Sequence, residues 1–316
     1  MKICILGAGA LGSTFGAWLS EAGHPTWLLN RPNRHIEAVH RHGLYIQGPE
    51  GNRNVGVLAT TDPEVIGPVD LMVVLVKSFA TQEAIEGALP VVGPHTVVMS
   101  LQNGLGHEDL LAEAVGRDKV IAGKTYVGGV QTSAGVVRSG VAGKHTIIGE
   151  LNGQITPRVQ AIAEAFTSAG LTTTISENIL GTMWDKLLVN VSTGALTGIT
   201  MLTYGQLYSM PTLRETALDA VAEAISVARA AGIRLNIKSP EEAWNLASEG
   251  LPADFKTSML QSLQKGSVTE IDFINGAVVR LGRLHGVPTP INSTLVACIK
   301  GIERAMADQQ QEEAKL

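Results

Sequence analysis

The segment "ILGAGALG", near the N-terminus, constrains the fold of this chain more than any other stretch. It places Gly7, Gly9 and Gly12 in the pattern G-x-G-x-x-G, directly after an apolar run and at the start of a helical pattern. There, the glycines permit a tight turn, close approach of a pyrophosphate and close packing of the helix on the strand. We therefore predict a dinucleotide site, with an ordinary glycine-rich turn as the alternative, at Gly7, Ala8, Gly9, Ala10, Leu11 and Gly12.

The first half of the chain alternates β-branched runs with helical segments, which predicts a parallel sheet covered on both faces. The candidate strands cover residues 2–7, 26–30, 71–77, 96–104 and 119–123. Between residues 124 and 149, runs broken by Gly and Ser favour antiparallel hairpins that extend the edge of the sheet, before a last strand at 172–176. Helical patterns then cover 177–198, 212–231, 239–248, 267–285 and 290–307.

A chain of 316 residues is longer than one hydrophobic core usually serves. We therefore predict an α/β protein of two domains. Residues 1–177 form a Rossmann-type, doubly wound domain that binds NADP, and residues 178–316 form an all-helical domain for substrate and catalysis. The polar tail "DQQQEEAKL" lacks apolar periodicity, which predicts a frayed end.

Charge and cysteine content exclude several classes of partner. The formal net charge is only -5 and the basic residues are scattered, so neither nucleic acid nor a membrane is expected as a partner. Cys4 and Cys298 form neither a disulfide framework nor a metal site, which favours a reducing cytoplasm. A signal peptide is not expected, because glycines interrupt the first apolar run.

The second candidate strand ends in "LLNRPNR", which bears on the choice of dinucleotide. The position where an acid would bind the 2′-hydroxyl of the adenosine ribose carries Asn30, followed by Arg31. Arg31 can pair bidentately with a 2′-phosphate and so favours NADP(H); a solvated surface arginine is the alternative. Lys77 and Asn103 follow two later strands, on the edge where such sheets bind ligands, although Asn103 also suits an Asn-Gly turn.

Lys186 leads a polar stripe along a helix that is otherwise apolar. Steps of four, three and four residues reach Asn190, Thr193 and Thr197. A lysine on a largely buried helix must be paired, hydrated or face a polar cavity, which a cleft between domains would supply. A lysine whose ammonium extends to bulk water is the alternative.

Two more polar residues lie in the later helical patterns. On a continuous helix over 267–285, Glu270 shares the apolar face, so its carboxylate needs a partner such as Lys186; a role in the first helical turn is the alternative. Ser258 precedes that helix and is suited to bind a substrate carboxylate. A hydride donor, a cationic acid and a carboxylate that orients it are the parts that reduce a ketone, and no zinc-ligand cluster replaces the acid.

Five separated motifs together resemble the ketopantoate reductase (2-dehydropantoate 2-reductase) family. In family order and over nearly the whole chain, they are "GAGALG", "LVKSF", "LQNGLG", "MWDKLLVN" and "SMLQSLQKGSVTEIDFINGAVVRLGRLHGVPTP". The resemblance implies reduction of a 2-oxo acid by NADPH, with a Rossmann domain and a helical domain. It most directly implies conversion of 2-dehydropantoate to pantoate in pantothenate biosynthesis.

Carried over by position, the resemblance implies roles for single residues. Lys186 is then the proton donor, Asn190 and Ser258 contact substrate, and Glu270 lies between cofactor and substrate. The resemblance also implies that the cofactor is bound by Gly7 to Gly12, Arg31, Lys77, Asn103, Gly129 and Glu270, with Asn103 also able to contact substrate.

The chain departs from the family pattern at three positions. Gly194 stands one turn after Asn190, where members that act on ketopantoate usually have a second asparagine, and further asparagines are absent near Tyr204 and Phe255. The substrate pocket is therefore expected to be more apolar, and a bulkier or more apolar 2-oxo acid could fill the room at Gly194.

Two other functions compete with this interpretation. A 3-hydroxyacid dehydrogenase of the 6-phosphogluconate type has Lys-x-x-Asn, whereas this chain has Lys186-x-x-x-Asn190. A non-catalytic NADP-binding sensor would keep the first domain and lose the chemistry, although Lys186 and Glu270 are both retained. The Ala-rich side of 212–231 offers a possible homodimer face, with packing inside the chain as the alternative.

Overall fold

The computed structural model describes residues 1–49 and 51–313. The chain divides into two compact units. The first unit holds Met1–Gln102 and Gly106–Ile179, and the second holds Asn103–Leu105 and the chain from Leu180 onwards. The short Asn103–Leu105 turn thus groups with the later helices.

Two sheets form the β structure of the first unit. Its strands are β1 Ile3–Leu6, β2 Thr26–Leu29, β3 Leu44–Gln47, β4 Arg53–Val55, β5 Leu58–Thr60, β6 Leu71–Val74, β7 Val97–Ser100, β8 Val120–Thr125, β9 Gly128–Ser133, β10 Val136–Gly140, β11 Thr146–Glu150 and β12 Thr173–Ile175. The main sheet has the order β12-β11-β8-β7-β6-β1-β2-β5. Every neighbouring pair in it is parallel except β11 with β8.

Helices cover both faces of the main sheet. They are α1 Ala10–Glu21, α2 Arg34–His42, α3 Thr81–Gly87, α4 His107–Val115 and α5 Pro157–Ser168. One buried core packs Phe15 of α1 and Phe166 of α5 on one face, and a second core packs Ile85 of α3 and Leu111 of α4 on the other. The predicted doubly wound sheet is therefore confirmed, and the buried run Leu71–Val74 is its central strand, as expected for a parallel sheet.

The predicted extension of the sheet edge is wrong for part of the segment 124–149. The strands β9 and β10 do pair as an antiparallel hairpin, but they belong to a separate four-stranded sheet of order β4-β3-β10-β9, which packs on α1. Only β11 joins the main sheet as an antiparallel neighbour of β8. Because β10 pairs in parallel with β3, the β9–β10 hairpin belongs to this second sheet and not to the main sheet.

The described part of the second unit is built from helices. They are α6 Ile179–Thr200, α7 Tyr204–Tyr208, α8 Pro211–Ala230, α9 Pro240–Ser248, α10 Ser258–Gln264, α11 Asn275–His285 and α12 Pro290–Glu313. The prediction of an all-helical C-terminal part is confirmed. The Ala-rich side of α8 is buried against α9, α11 and α12, so that face packs inside the unit and the homodimer stays a prediction.

The predicted continuous helix over 267–285 is wrong. Gly266 adopts a left-handed φ of +67° after α10, and the backbone N–H and hydroxyl of Thr269 both donate to Glu303 Oε1 at 2.7 Å. A short 3-10 turn, Ile271–Phe273, follows, and α11 begins only at Asn275. Glu270 therefore precedes the helix, and its assignment to an apolar helical face is corrected.

The predicted fraying of the C-terminal tail is also wrong as far as the described chain extends. Helix α12 continues to Glu313. Within its last three turns, Arg304 pairs with Asp308 at 3.0 Å, and Gln310 Nε2 donates to Gly266 O at 3.1 Å. These contacts give the polar segment partners that apolar periodicity does not reveal. Residues 314–316 lie outside the described chain. No helix in residues 1–49 and 51–313 combines the length and apolar character needed to cross a membrane.

Candidate active site

The glycine loop between β1 and α1 has the geometry that a diphosphate requires. Gly7 adopts a φ of +108°, and a Cβ there would lie 2.5 Å from Val76 N, while a Cβ on Gly12 would collide with the Gly7 carbonyl oxygen. At Gly9 a Cβ would meet nothing within 4 Å. The first and third glycines thus permit backbone packing, and the second leaves the front of the loop open to a ligand.

The N-terminus of α1 supplies hydrogen-bond donors to the same opening. Gly9 is the N-cap residue, its backbone is extended, and it makes no side-chain cap. The first N–H groups of a helix have no acceptor within the helix, and the first turn of α1 carries no acidic residue. Backbone donors of Ala10, Leu11 and Gly12 therefore fit the negative charge of a dinucleotide diphosphate.

A cavity of about 290 Å³ opens beside this loop. It is lined by Ala8, Gly9, Asn30, Asn33, Arg34, His35 and Gln131. Asn30, at the end of β2, accepts a hydrogen bond from Ala8 N at 3.3 Å. Arg31 does not line the cavity: its side chain is exposed, and Nη1 lies 3.8 Å from Glu83 Oε2.

Sequence reasoning missed the participation of Asn33, His35 and Gln131 in this cavity. Asn33 caps α2, because its Oδ1 accepts the backbone N–H groups of His35 and Ile36 at 2.9 and 3.0 Å. An asparagine directly before an amphipathic run is a helix-start signal. That signal would have predicted α2 and placed Arg34 in its first turn.

Buried His35 ties the glycine loop to the second sheet. Its Nδ1 accepts the Gly135 N–H at 3.0 Å, and its Nε2 lies 2.9 Å from Ser13 Oγ, which donates to Ala8 O at 3.3 Å. Since Nδ1 accepts, the neutral ring carries its proton on Nε2. Burial lowers the pKa of His35, which favours this neutral form. The imidazole therefore positions the loop.

Two further candidates for cofactor binding, Gly129 and Lys77, also lie in the first unit. Gly129, on β9, lies against α1, where a Cβ would stand 3.0 Å from Thr14 Oγ1 and 3.2 Å from Ala10 O. Lys77 lies three residues beyond the end of β6, with its side chain exposed, and precedes a 3-10 turn. The structure thus brings Gly129 to the helix that follows the glycine loop and leaves Lys77 at the carboxyl end of a central strand.

In the second unit, the polar stripe of α6 consists of two kinds of residue, those that pack against other helices and those that are half-buried. Thr193 Oγ1 lies 3.1 Å from the Tyr204 hydroxyl, and Thr197 Oγ1 lies 2.6 Å from Thr257 Oγ1. These two threonines are buried and serve packing between helices. Lys186 and Asn190, one turn apart and earlier on the helix, are half-buried, so the ligand-facing candidates are the N-terminal pair of the stripe.

The remaining candidates of the second unit lie on turns and helix starts. Ser258 is the exposed first residue of α10, which Thr257 caps by accepting the Leu260 N–H at 3.2 Å. Glu270 is half-buried and directly precedes the turn that ends at Phe273. The Leu105 N–H donates to Phe273 O at 2.9 Å, and Gly104 packs on the same backbone with a φ of +95°.

This turn explains why Asn103 groups with the second unit. A Cβ on Gly104 would collide with Phe273 O, so a glycine at this position is required for close packing of the turn. The structure thereby places Asn103 in the same unit as Lys186, Asn190, Ser258 and Glu270. The roles of these side chains stay predictions at this point.

Comparisons with known families match the two parts of the chain in order. A family described as "Ketopantoate reductase PanE/ApbA" matches residues 3–153, and one described as its C-terminal part matches residues 178–303. The 2-dehydropantoate 2-reductase of Pyrococcus horikoshii is 37% identical over 303 residues, which cover 96% of this chain and 98% of that relative.

Two solved structures are similar over almost the whole chain. A PanE/ApbA family ketopantoate reductase from Ralstonia eutropha JMP134 has a TM-score of 0.89 at 33% identity, with 97% of this chain and 100% of that chain covered. The ternary structure of D-mandelate dehydrogenase with NADH and anilino(oxo)acetate has a TM-score of 0.89 at 27% identity, with the same coverage.

Proposed function

This chain belongs to the ketopantoate reductase family, and we propose that it reduces a 2-oxo acid to the 2-hydroxy acid with NADPH. The family matches confirm the family expected from the five motifs. Members of this family are oxidoreductases that act on CH–OH groups. The observation that carries the proposal is that one chain holds both a candidate dinucleotide-binding loop and a candidate proton donor. The first unit holds a glycine loop that is open at Gly9, and the second holds a half-buried Lys186 followed one turn later by Asn190.

The first unit is proposed to hold the dinucleotide. A bound reduced nicotinamide supplies the hydride, and with it two electrons, to the carbonyl carbon of the substrate. Backbone N–H groups at the start of α1 bind the diphosphate, and Asn30 stands where a carboxylate would otherwise repel a 2′-phosphate. Arg31 and Arg34 supply the positive charge for that phosphate, which favours NADPH. Lys77 and Gly129 complete the assignments of this unit.

Lys186 is proposed to be the proton donor. Hydride addition to a ketone places negative charge on the oxygen, which an ammonium group stabilises before it transfers a proton. The oxygen becomes the hydroxyl of the product, and the neutral amine recovers a proton from water. Its half-buried position on α6 suits this role, since a fully solvated ammonium would be screened by water.

Four residues are proposed to orient substrate and acid. Asn190 and Ser258 donate hydrogen bonds to the substrate, Asn103 contacts the nicotinamide ribose or the substrate, and Glu270 orients Lys186 beside the cofactor. These assignments derive from the family motifs in which the residues occur.

The first substrate candidate is 2-dehydropantoate, on which the relative from Pyrococcus horikoshii acts by its name. A more apolar 2-oxo acid is the second candidate, because Gly194, Tyr204 and Phe255 replace polar positions of the family. The similarity to D-mandelate dehydrogenase, whose structure contains NADH and anilino(oxo)acetate, supports this second candidate. It also makes NADH the cofactor to compare with NADPH.

The two competing functions receive less support. Both family matches and the Lys186-x-x-x-Asn190 spacing argue against a 3-hydroxyacid dehydrogenase of the 6-phosphogluconate type. A non-catalytic sensor differs from an enzyme in one observable property, namely dinucleotide binding without turnover. Oxidation of NADPH in the presence of a panel of 2-oxo acids therefore tests the proposal.

A further inference from the structure

We infer that Gln131, on β9 of the second sheet, is a specificity-determining residue for the dinucleotide, and that its side-chain amide binds the 2′ position of the adenosine ribose beside Arg34. A neutral amide can donate to a 2′-phosphate and can accept from a 2′-hydroxyl. This inference rests on the proposed function, because it adds a binding residue to the same dinucleotide site. The contacts that carry it all lie within the first unit.

The cavity beside the glycine loop lies where a Rossmann-type domain binds the adenosine ribose. Its lining includes Gly9, in front of the first turn of α1, and Asn30, directly after β2, where such domains bind the ribose 2′-hydroxyl. Arg34, in the first turn of α2, and Gln131 line it as well. Its volume of about 290 Å³ suits one part of a dinucleotide, because pockets for whole drug-sized ligands hold about 300–1,000 Å³.

Three of the polar side chains that line this cavity are bonded to the protein itself. Asn30 accepts the Ala8 N–H at 3.3 Å and donates to Arg31 O at 3.0 Å. Asn33 donates to the same carbonyl oxygen at 3.1 Å, and its Oδ1 caps α2. Both ring nitrogens of His35 are bonded within the first unit. These bonds fix the three side chains in the wall of the cavity.

Arg34 and Gln131 are the polar lining residues whose side chains stay available to a ligand. Both are exposed, and neither side chain has a hydrogen-bond or ion-pair partner among residues 1–49 and 51–313. The guanidinium of Arg34 offers donors and positive charge, whereas the amide of Gln131 offers a donor and an acceptor without charge. The pair therefore suits a ligand group that is a phosphate in one dinucleotide and a hydroxyl in the other.

The strand β9 directs the Gln131 side chain towards the start of α1. Alternate residues of a strand share one face. Gly129, two positions earlier, faces α1, because a Cβ there would lie 3.0 Å from Thr14 Oγ1 and 3.2 Å from Ala10 O. The register of β9 with β10 is regular from Gly129 to Gln131, so Gln131 shares this face and Val130 lies on the opposite one.

The β9–β10 hairpin is held in place on two sides, which fixes the position of Gln131. In its turn, the Gly135 N–H donates to His35 Nδ1 at 3.0 Å, and the Gly135 carbonyl accepts the Tyr45 N–H at 2.9 Å. His35 Nε2 lies 2.9 Å from Ser13 Oγ on α1. The hairpin is thus bonded to the helix that follows the glycine loop, and a binding residue on it is positioned before the ligand arrives.

A charge at position 131 would decide between the two dinucleotides. A carboxylate there would repel a 2′-phosphate and pair with Arg34, whereas it could still accept a hydrogen bond from a 2′-hydroxyl. A methionine has a similar length, removes the amide and adds no charge. Glutamate and methionine at this position therefore separate the effect of charge from the loss of one hydrogen bond.

The test measures the dissociation constants of NADPH and NADH by calorimetric titration of the wild-type protein, Gln131→Glu and Gln131→Met. Gln131→Glu should weaken NADPH binding by about 10- to 100-fold and NADH binding by less than about 3-fold, because only NADPH carries the phosphate that the carboxylate repels. Gln131→Met should weaken the binding of each dinucleotide by about 3- to 10-fold, from the loss of one hydrogen bond.

Val130→Glu is the matched control, because it places the same charge on the opposite face of the same strand, where Val130 is 52% exposed. It should leave the ratio of the two dissociation constants within about 2-fold of the wild-type ratio, since solvent screens a charge on that face. Both positions are exposed, so all three variants should keep a melting temperature close to that of the wild type.

Three results would overturn the inference. Equal losses of NADPH and NADH binding in Gln131→Glu, or no loss for either, would overturn it and leave the proposed reduction standing. An equal loss of NADPH binding in Val130→Glu and Gln131→Glu would also overturn it, because the charge would then act without contact. Failure of the wild-type protein to bind either dinucleotide would overturn both the inference and the proposed function.

Discussion

Asp185 is bound to Asn236 through both of its carboxylate oxygens. Oδ1 accepts the backbone N–H of Asn236 at 3.1 Å, and Oδ2 accepts its side-chain amide at 2.7 Å. The Ile237 N–H donates to Oδ1 as well, at 3.0 Å. Because Asp185 directly precedes Lys186, this bonding fixes the rotation of α6 at the turn that carries the proposed proton donor.

Asp185→Ala should destabilise the second unit. The substitution removes the acceptor of three N–H donors, of which the Ile237 N–H is buried and the two of Asn236 can turn to water, so the free energy of unfolding should fall by about 1–3 kcal/mol. Urea unfolding followed by tryptophan fluorescence measures the change. Asp254→Ala, at an exposed position, is the control and should change stability by less than about 0.5 kcal/mol. Equal effects of both variants would show that the bonds of Asp185 contribute nothing specific.

Lys186→Ala should remove turnover and leave dinucleotide binding intact. Loss of the proposed proton donor should lower kcat by about 100- to 10,000-fold, whereas the glycine loop proposed to bind the cofactor is unchanged. Steady-state rates of NADPH oxidation give kcat, and the fluorescence of bound NADPH gives the dissociation constant. Lys265→Ala, an exposed lysine of the same unit, serves as the control. A rate that survives in Lys186→Ala identifies another group as the acid.

Arginine substitutions should separate NADPH from NADH. Arg31→Ala and Arg34→Ala each remove a positive charge proposed to bind the 2′-phosphate, which should weaken NADPH binding by about 10-fold and NADH binding by less than about 3-fold. Glu83→Gln frees Arg31 from an ion pair in which both side chains are exposed. Such a pair contributes little free energy, so this variant should gain less than about 3-fold in NADPH affinity. Calorimetric titration with both dinucleotides measures these effects. Equal losses for NADH and NADPH would contradict the role of the arginines.

Glu108 should make stability depend on pH. Burial raises the pKa of this carboxyl, in the first turn of α4, from 4.5 to about 7. The folded state then holds the proton more tightly than the unfolded state, so the carboxyl's contribution to stability falls as pH rises from about 4.5 to about 7 and is constant above that.

Glu108→Gln removes this dependence. At pH 8 the variant should be more stable than the wild type by at most about 3 kcal/mol, and at pH 4.5 the two should agree. Melting temperatures across this range measure the difference, with Glu113→Gln, on the same helix, as the control. A wild-type curve that rises between pH 5 and 7 and matches that of Glu108→Gln would contradict the assignment.

The main sheet could be predicted because its signals are local. A glycine pattern and a run of buried β-branched residues specify β1, α1 and β6 without reference to distant parts of the chain. The short strands β3, β4 and β5 escaped prediction, because a three- or four-residue strand with exposed faces carries little periodicity. The separate sheet depends on pairing of β10 with β3, a contact between residues about ninety positions apart.

The sequence predicted which residues are candidates for the site better than it predicted their local structure and hydrogen-bond partners. Periodicity located the stripe of Lys186, but it did not reveal that the hydroxyls of Thr193 and Thr197 are bonded to Tyr204 and Thr257. The helix assigned to Glu270 failed because Glu303, more than thirty residues later, bonds the chain at Thr269. Partners supplied from distant sequence are invisible to a local pattern.

The most direct test of the central claim is oxidation of NADPH by the wild-type protein with phenylglyoxylate, 2-dehydropantoate and pyruvate. The loss of NADPH absorbance is recorded together with the amount of 2-hydroxy acid formed. We predict turnover on at least one acid, with one hydroxy acid formed for each NADPH oxidised. Tight NADPH binding with no oxidation on any of the three acids would contradict it and identify the chain as a non-catalytic dinucleotide-binding protein.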